Sequence, residues 1–263
     1  MNRQRLALQD LKKALLQYRV WIHLGWVEIK QRYRRSVIGP WWISLSMLVF
    51  IVMMGIVFSR LFGQRLDEYI PFFTAEYLFW IFISTSILES AEIFQSNSGY
   101  IKQISLPFSL YVFKHLVRNV ICLLHNFVVY LVVCLFFKLN PGLPFLGIIP
   151  GLLLLCINLY WICMLVAMLC ARFRDMIPMI GTSIQIAFFV TPISWMPKLL
   201  DNQSFILKLN PLVYLLYIVR SPLLGQVPQF NSILISSCLA IVGCGICFFF
   251  FSRSRARIPF WVD

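Results

Sequence analysis

From Val37 to Phe58 the chain runs through Gly39-Pro40-Trp41-Trp42 and on into apolar sequence without one formal charge. About 20 apolar residues in a helix cross the hydrocarbon core of a bilayer. Backbone inside lipid must satisfy its own hydrogen bonds, and a helix does so within a single segment. This run therefore predicts a membrane-spanning helix. Comparable runs follow at about 70–92, 110–137, 146–171, 176–197 and 230–251. Together they predict an all-α polytopic membrane protein of six spans. The composition agrees: 60% of residues are hydrophobic and 13% charged, where a soluble domain carries about 25% charged residues. No separate soluble domain is expected. The first 36 residues are too charged, and the first apolar run too long, for a cleavable signal peptide.

The approach to the first span reads Arg32-Tyr33-Arg34-Arg35-Ser36-Val37-Ile38-Gly39-Pro40-Trp41-Trp42. Arginines hold a helix end at an anionic cytoplasmic face, and tryptophans settle at headgroup level. Gly-Pro ends one helix and lets the next start at a new angle. Upstream, Leu11, Leu15, Tyr18, Ile22, Trp26, Ile29 and Tyr33 step by three or four, and a stripe of Lys12, Arg19, His23, Lys30 and Arg34 runs beside them. That pattern predicts an amphipathic helix lying in the headgroup plane. Three regions result: a cytoplasmic arm and interface helix (1–36), a six-span transmembrane domain (37–252) and a basic cytoplasmic tail (253–263).

Orientation follows from the cations. With both termini cytoplasmic, 17 of the 23 Lys and Arg fall inside; Arg60, Arg65, Lys138, Lys198, Lys208 and Arg220 fall outside. That is the bias the positive-inside rule requires. It also gives the net charge of +13 a membrane explanation, and no nucleic-acid partner is expected. Residues 204–229 are cut by Pro211, Pro222 and Pro228 and are too broken to cross lipid. They predict interfacial or re-entrant helices on the outer side between spans five and six. No internal repeat is visible.

Residues for chemistry are few. None of the twelve glycines precedes a lysine, so there is no phosphate-binding loop, and the three histidines are isolated. All eight cysteines lie in apolar runs; Cys156, Cys163 and Cys170 recur every seven residues and read as small-residue helix packing rather than a metal site or a disulfide framework. Glu89 and Glu92 share a helix face near the inner end of span two. They read as solvated acids facing Lys102 or Arg118, with a metal or proton site as the sharper alternative. Glu76 is expected near the outer end of that span. Phe73, Tyr77, Trp80 and Glu76 are candidate channel-lining residues, since apolar ring faces suit a sliding sugar polymer; lipid or packing contacts are the plainer role. Two short loops, Gln95–Pro107 and Ala171–Pro178, are either simple connectors or cytoplasmic contact surfaces.

Taken in order, these segments resemble the transmembrane subunit of ABC-2 type exporters, in the polysaccharide branch. The resemblance covers nearly the whole chain. It rests on the Arg32–Trp41 junction, the Asn97…Ile101-Lys102…Pro107 loop, Arg172-Phe173-Arg174-Asp175, Thr191-Pro192-Ile193 and Asn210-Pro211-Leu212. It implies external re-entrant helices between spans five and six, and a homodimer in the inner membrane, each copy paired with a separate cytoplasmic ATPase that binds ATP and Mg. It also implies ATPase coupling through Asn97, Tyr100, Ile101, Lys102, Arg172, Arg174 and Asp175. The cargo would be a lipid-linked glycan, O-antigen first, with capsule or teichoic acid as alternatives. The approach surface for its headgroup would be Arg32, Tyr33, Arg34, Arg35, Trp41 and Trp42. A membrane-embedded transferase using Glu89 and Glu92 is the rival from another class.

Overall fold

The structure is a computed structural model describing residues 3–34, 36–39, 41–197 and 205–262. Among them there is no strand. The arm is two helices, α1 (Arg3–Leu16) and α2 (Tyr18–Arg32). The bundle proper is α3 (Trp41–Leu61), α4 (Leu66–Ser90), α7 (Phe108–Phe137), α8 (Ile148–Arg172, preceded by a 3₁₀ turn at Leu143–Gly147), α9 (Met176–Val190) and α12 (Phe230–Ser254). Short helices fill the links: α5 (Ile93–Ser96), α6 (Ser98–Gln103), α10 (Phe205–Leu209), α11 (Pro211–Leu223) and α13 (Ile258–Trp261).

Five helices are long and apolar enough to cross a membrane: α3, α4, α7, α8 with its 3₁₀ turn, and α12 with the segment to Trp261. The expected six spans are therefore met by five. The stretch 176–197 is helical only over the 15 residues of α9, about 22 Å of helix against a core of about 30 Å. Its end has a local cause. Thr191 precedes Pro192 and takes extended backbone, φ −89° and ψ 140°, because the proline ring disfavours helix in the residue before it. The chain then turns through Pro192, Ile193 and Ser194, all buried, and Tyr69 donates to the Ser194 carbonyl. Irregular backbone here is covered by protein.

The centre of the bundle is α4. Of its apolar window 72% is buried, against 28% for α3 and 22% for α12, and α3, α7, α8, α9 and α11 all pack on it. Outer helices touch their neighbours along a single stripe. On α12 that stripe is Ser232, Ser236, Ala240, Gly243, Cys247 and Phe251, at steps of three and four, the small-residue pattern that lets helices approach without a hydrophobic drive. Gly243 sits directly under the Trp161 ring of α8. Gly151 of α8 is closer still to backbone, since a Cβ there would stand 2.6 Å from the Ile218 carbonyl of α11. Cys163 and Cys170 are buried in the same packing.

The arm meets the bundle through residues that mostly lie outside the apolar stripe. Its protein-facing residues are Ala7, Asp10, Ala14, Gly25 and Ile29, and only Ile29 belongs to the apolar stripe. Leu15, Tyr18, Ile22 and Trp26 are exposed. Small residues allow the arm to lie close on α7, and the larger apolar side chains point away from the bundle.

Candidate functional site

The end of the bundle carrying arm and tail also holds most of the ion pairs. Gly25 of α2 rests on the α7 backbone, where an added Cβ would be 3.1 Å from the Lys114 carbonyl. One turn on, Glu28 accepts from both Lys114 and Arg118 of α7, the second at 3.4 Å. Arg118 also donates to Glu89 at the end of α4, and Arg32 donates to the same carboxylate at 3.2 Å. Lys114 is buried, and its Nζ donates in addition to Asn97 Oδ1 at 2.8 Å. Asn97 Nδ2 donates to the Ile93 carbonyl at 2.7 Å, so the amide is held at the joint between α5 and α6. A single connected network thus joins arm, α4, α7 and the first loop. Low dielectric makes the buried Lys114 costly to orphan, whereas the Arg32–Glu89 contact is open to solvent. Burial weighs most against the Arg32 cation, but the charge and hydrogen bond of Glu89 together with the neighbouring Tyr33 outweigh it, and the guanidinium pKa lies above its ordinary value. Partial burial raises the Tyr33 phenol.

A second joint sits nearby. Asp10 is buried in α1, where its carboxylate accepts from the Phe108 and Ser109 N–H groups at 3.1 and 3.0 Å and from Arg255 Nε at 2.9 Å. The first two donors are orphans of the α7 N-terminus, and an anion there also meets the favourable end of the helix dipole.

The expected coupling residues gather at this end. Asn97 is anchored as described. Tyr100 and Lys102 are exposed on α6 and Ile101 is half-buried. Arg172 stands over the rings of Phe173 and Trp261, 4.8 and 5.7 Å from their centroids, which brings α13 against the second loop. Arg174 and Asp175 are exposed before α9. In the junction, Arg34, Trp41 and Trp42 are exposed and Tyr33 half-buried; Arg35 and Pro40 lie outside the described residues. Gly39 makes the turn with φ 64°, and Ser36 Oγ accepts from its N–H at 3.0 Å.

The candidate channel residues lie elsewhere. Phe73 and Trp80 are buried within the chain and Tyr77 is half-buried. Tyr69, Phe73, Tyr77 and Phe50 form a stacked ladder of rings, while Trp80 meets Phe188 of α9. Glu76 is 1% exposed, covered by its own chain. It accepts from Arg220 of α11, whose guanidinium also stands 4.6 Å from the Tyr217 ring centroid and 5.3 Å from that of Phe72. The pair borders a cavity of ≈ 860 Å³ lined also by Thr191, Tyr214 and Gln229.

Sequence reasoning placed Arg118 opposite Glu89 correctly. It missed Asp10, Glu28 and the Glu76–Arg220 pair. The signal for the last was present, because an ionisable residue in an apolar segment demands a partner. Arg220 was instead assigned to the positive-inside count as an outside charge.

Span-length apolar helices around a buried α4, with a charged arm, loops and tail collected at one end, define a multi-pass membrane protein. The chain belongs to the ABC-2 type transporter family, which it matches over residues 19–224. That family supplies the membrane subunit of transporters rather than an ATPase, and an ABC ATPase partner goes with it. The chain is similar to the O-antigen export system permease protein RfbA of Klebsiella pneumoniae, 24% identical over 83% of this chain and 87% of the relative. It is similar also to the protein of that name from Myxococcus xanthus, 26% identical over 78% of this chain and 81% of the relative.

Proposed function

We propose that this chain is the permease of an ATP-driven exporter that carries a lipid-linked polysaccharide, O-antigen first, across the inner membrane. Two copies form the channel, two cytoplasmic ATPase subunits bind ATP and Mg, and both termini face the cytoplasm. The observation that carries the reading is the family match together with the O-antigen export names of relatives spanning most of the chain. The gathering of arm, loops and tail at one end supports a single cytoplasmic face. A second copy is supported by α9, an apolar helix with no residue buried in its own chain. In this reading α9 and the protein-covered turn after it complete the sixth crossing, α10 and α11 are the external re-entrant helices, and the exposed stripe of the arm lies among headgroups. The coupling residues named above contact the ATPase, and Arg32, Tyr33, Arg34, Arg35, Trp41 and Trp42 guide the headgroup.

Glu89 opposes the transferase alternative, because it is engaged by Arg32 and Arg118 rather than paired with Glu92. The test is reconstitution of permease and ATPase in vesicles loaded with labelled lipid-linked O-antigen, capsule or teichoic acid precursors. ATP-dependent movement of O-antigen precursor is expected. Movement of only another glycan would replace the cargo, and movement of none, with ATPase bound and active, would refute the exporter.

A further inference from the structure

Two observations meet on one turn of α7. The arm touches it at backbone distance through Gly25, and the buried Lys114 side chain bridges Glu28 of the arm to Asn97 of the first loop. Lys114 has three N–H donors and no acceptor, so it can hold both oxygens only while arm and loop keep their spacing. A shift of α6 that carries Asn97 must either drag the ammonium, and with it Glu28, or break a buried charge-assisted hydrogen bond. Glu28 has a second holder in Arg118, and Arg118 a second in Glu89. Both holders of Glu28 stand on α7, so the arm can follow the loop only as far as the Lys114 and Arg118 side chains swing with it.

We propose that Lys114 and Glu28 are positioning residues that couple movement of the first loop to movement of the arm, so that ATPase engagement at α6 changes how the arm presents the headgroup approach. This rests on the exporter reading and names its internal linkage. Neither residue touches ATP or cargo; they act through Asn97 and α2.

The test uses the full permease–ATPase complex in vesicles made from the source membrane lipids. Lys114→Met, Lys114→Arg, Glu28→Gln and the Lys114→Met/Glu28→Gln pair are compared for basal and glycan-stimulated ATP hydrolysis. Spin labels at Trp26 and Gln103, both exposed, report the arm-to-loop distance with and without ATP. In the unsubstituted complex ATP is expected to leave that distance fixed, because the two elements move together. Lys114→Met and Glu28→Gln should each lose most of the stimulation, keep basal hydrolysis and broaden the distance distribution. The pair should be no worse than either alone, as for residues on one path, and Lys114→Arg should retain the coupling. Equal loss of basal and stimulated rates, additive losses in the pair, or a narrow distance in Lys114→Met would each overturn the proposal. Should glycan movement fail in the unsubstituted complex, the exporter reading falls while the distance measurement still decides the linkage.

Discussion

Replacing Arg220 by Met leaves the Glu76 carboxylate, 1% exposed, without the guanidinium that donates to it; its Oε2 already has no partner among the described residues. Removing one member of a buried ion pair costs about 3–5 kcal/mol, since the survivor is a stranded charge. A further 0.5–2 kcal/mol or so is lost with the guanidinium over the Phe72 and Tyr217 rings. The reverse change is milder. In Glu76→Gln, Arg220 keeps both rings and borders the ≈ 860 Å³ cavity, where water can solvate it. That cost is expected at about 1–3 kcal/mol, the range for a lost charged hydrogen bond. The double replacement Glu76→Leu/Arg220→Met removes both charges together and should recover most of the loss, because apolar substitutes for buried pairs are often neutral. Equilibrium unfolding in mixed detergent–lipid micelles gives the three free energies. The expected order is Arg220→Met worst, Glu76→Gln intermediate and the double variant nearest the parent. If Glu76→Gln equals Arg220→Met, or the double variant is as unstable as Arg220→Met, the pair does not work as a buried charge balance.

Other outcomes follow from the packing. Asp10→Ala removes the acceptor for two α7 N-terminal N–H groups and for Arg255, and should cost about 1–3 kcal/mol, visible as faster hydrogen exchange at Phe108 and Ser109. Gly151→Ala drives a methyl into the Ile218 carbonyl and should cost about 1–3 kcal/mol as an overpacked contact, measured by the same unfolding assay. Gly181→Leu meets nothing within 4 Å in its own chain; it should leave monomer stability unchanged while lowering the dimer fraction by light scattering, and an unchanged dimer would place the interface elsewhere.

Much of the fold could be read from the chain because lipid makes the rule simple. Long runs poor in charge became helices of span length, as in α4, α7 and α12. The exception is 176–197, where hydropathy persists past Val190 but Pro192 stops the helix. Composition averages over a window; a proline acts on one residue. In the site, Glu89 with Arg118 was legible, since both charges flank apolar runs that the same turn of sequence brings together. Asp10 with Arg255 and Glu28 with Lys114 were not, being joined only by how the arm lies on α12 and α7. The arm's periodicity gave a helix but not its buried face. Gly25, Ala7 and Ala14 have little weight on a hydropathy scale, and they are what permits the close approach.

The Asp10–Arg255 contact spans 245 positions of sequence. During synthesis Asp10 leaves the ribosome long before its cation exists, and every span-length helix must be made before the pair can close. The carboxylate is therefore in place to cap α7 early, and the arm gains its final clasp only with the tail. A chain stalled or truncated before Arg255 would show the membrane an arm held on one side alone.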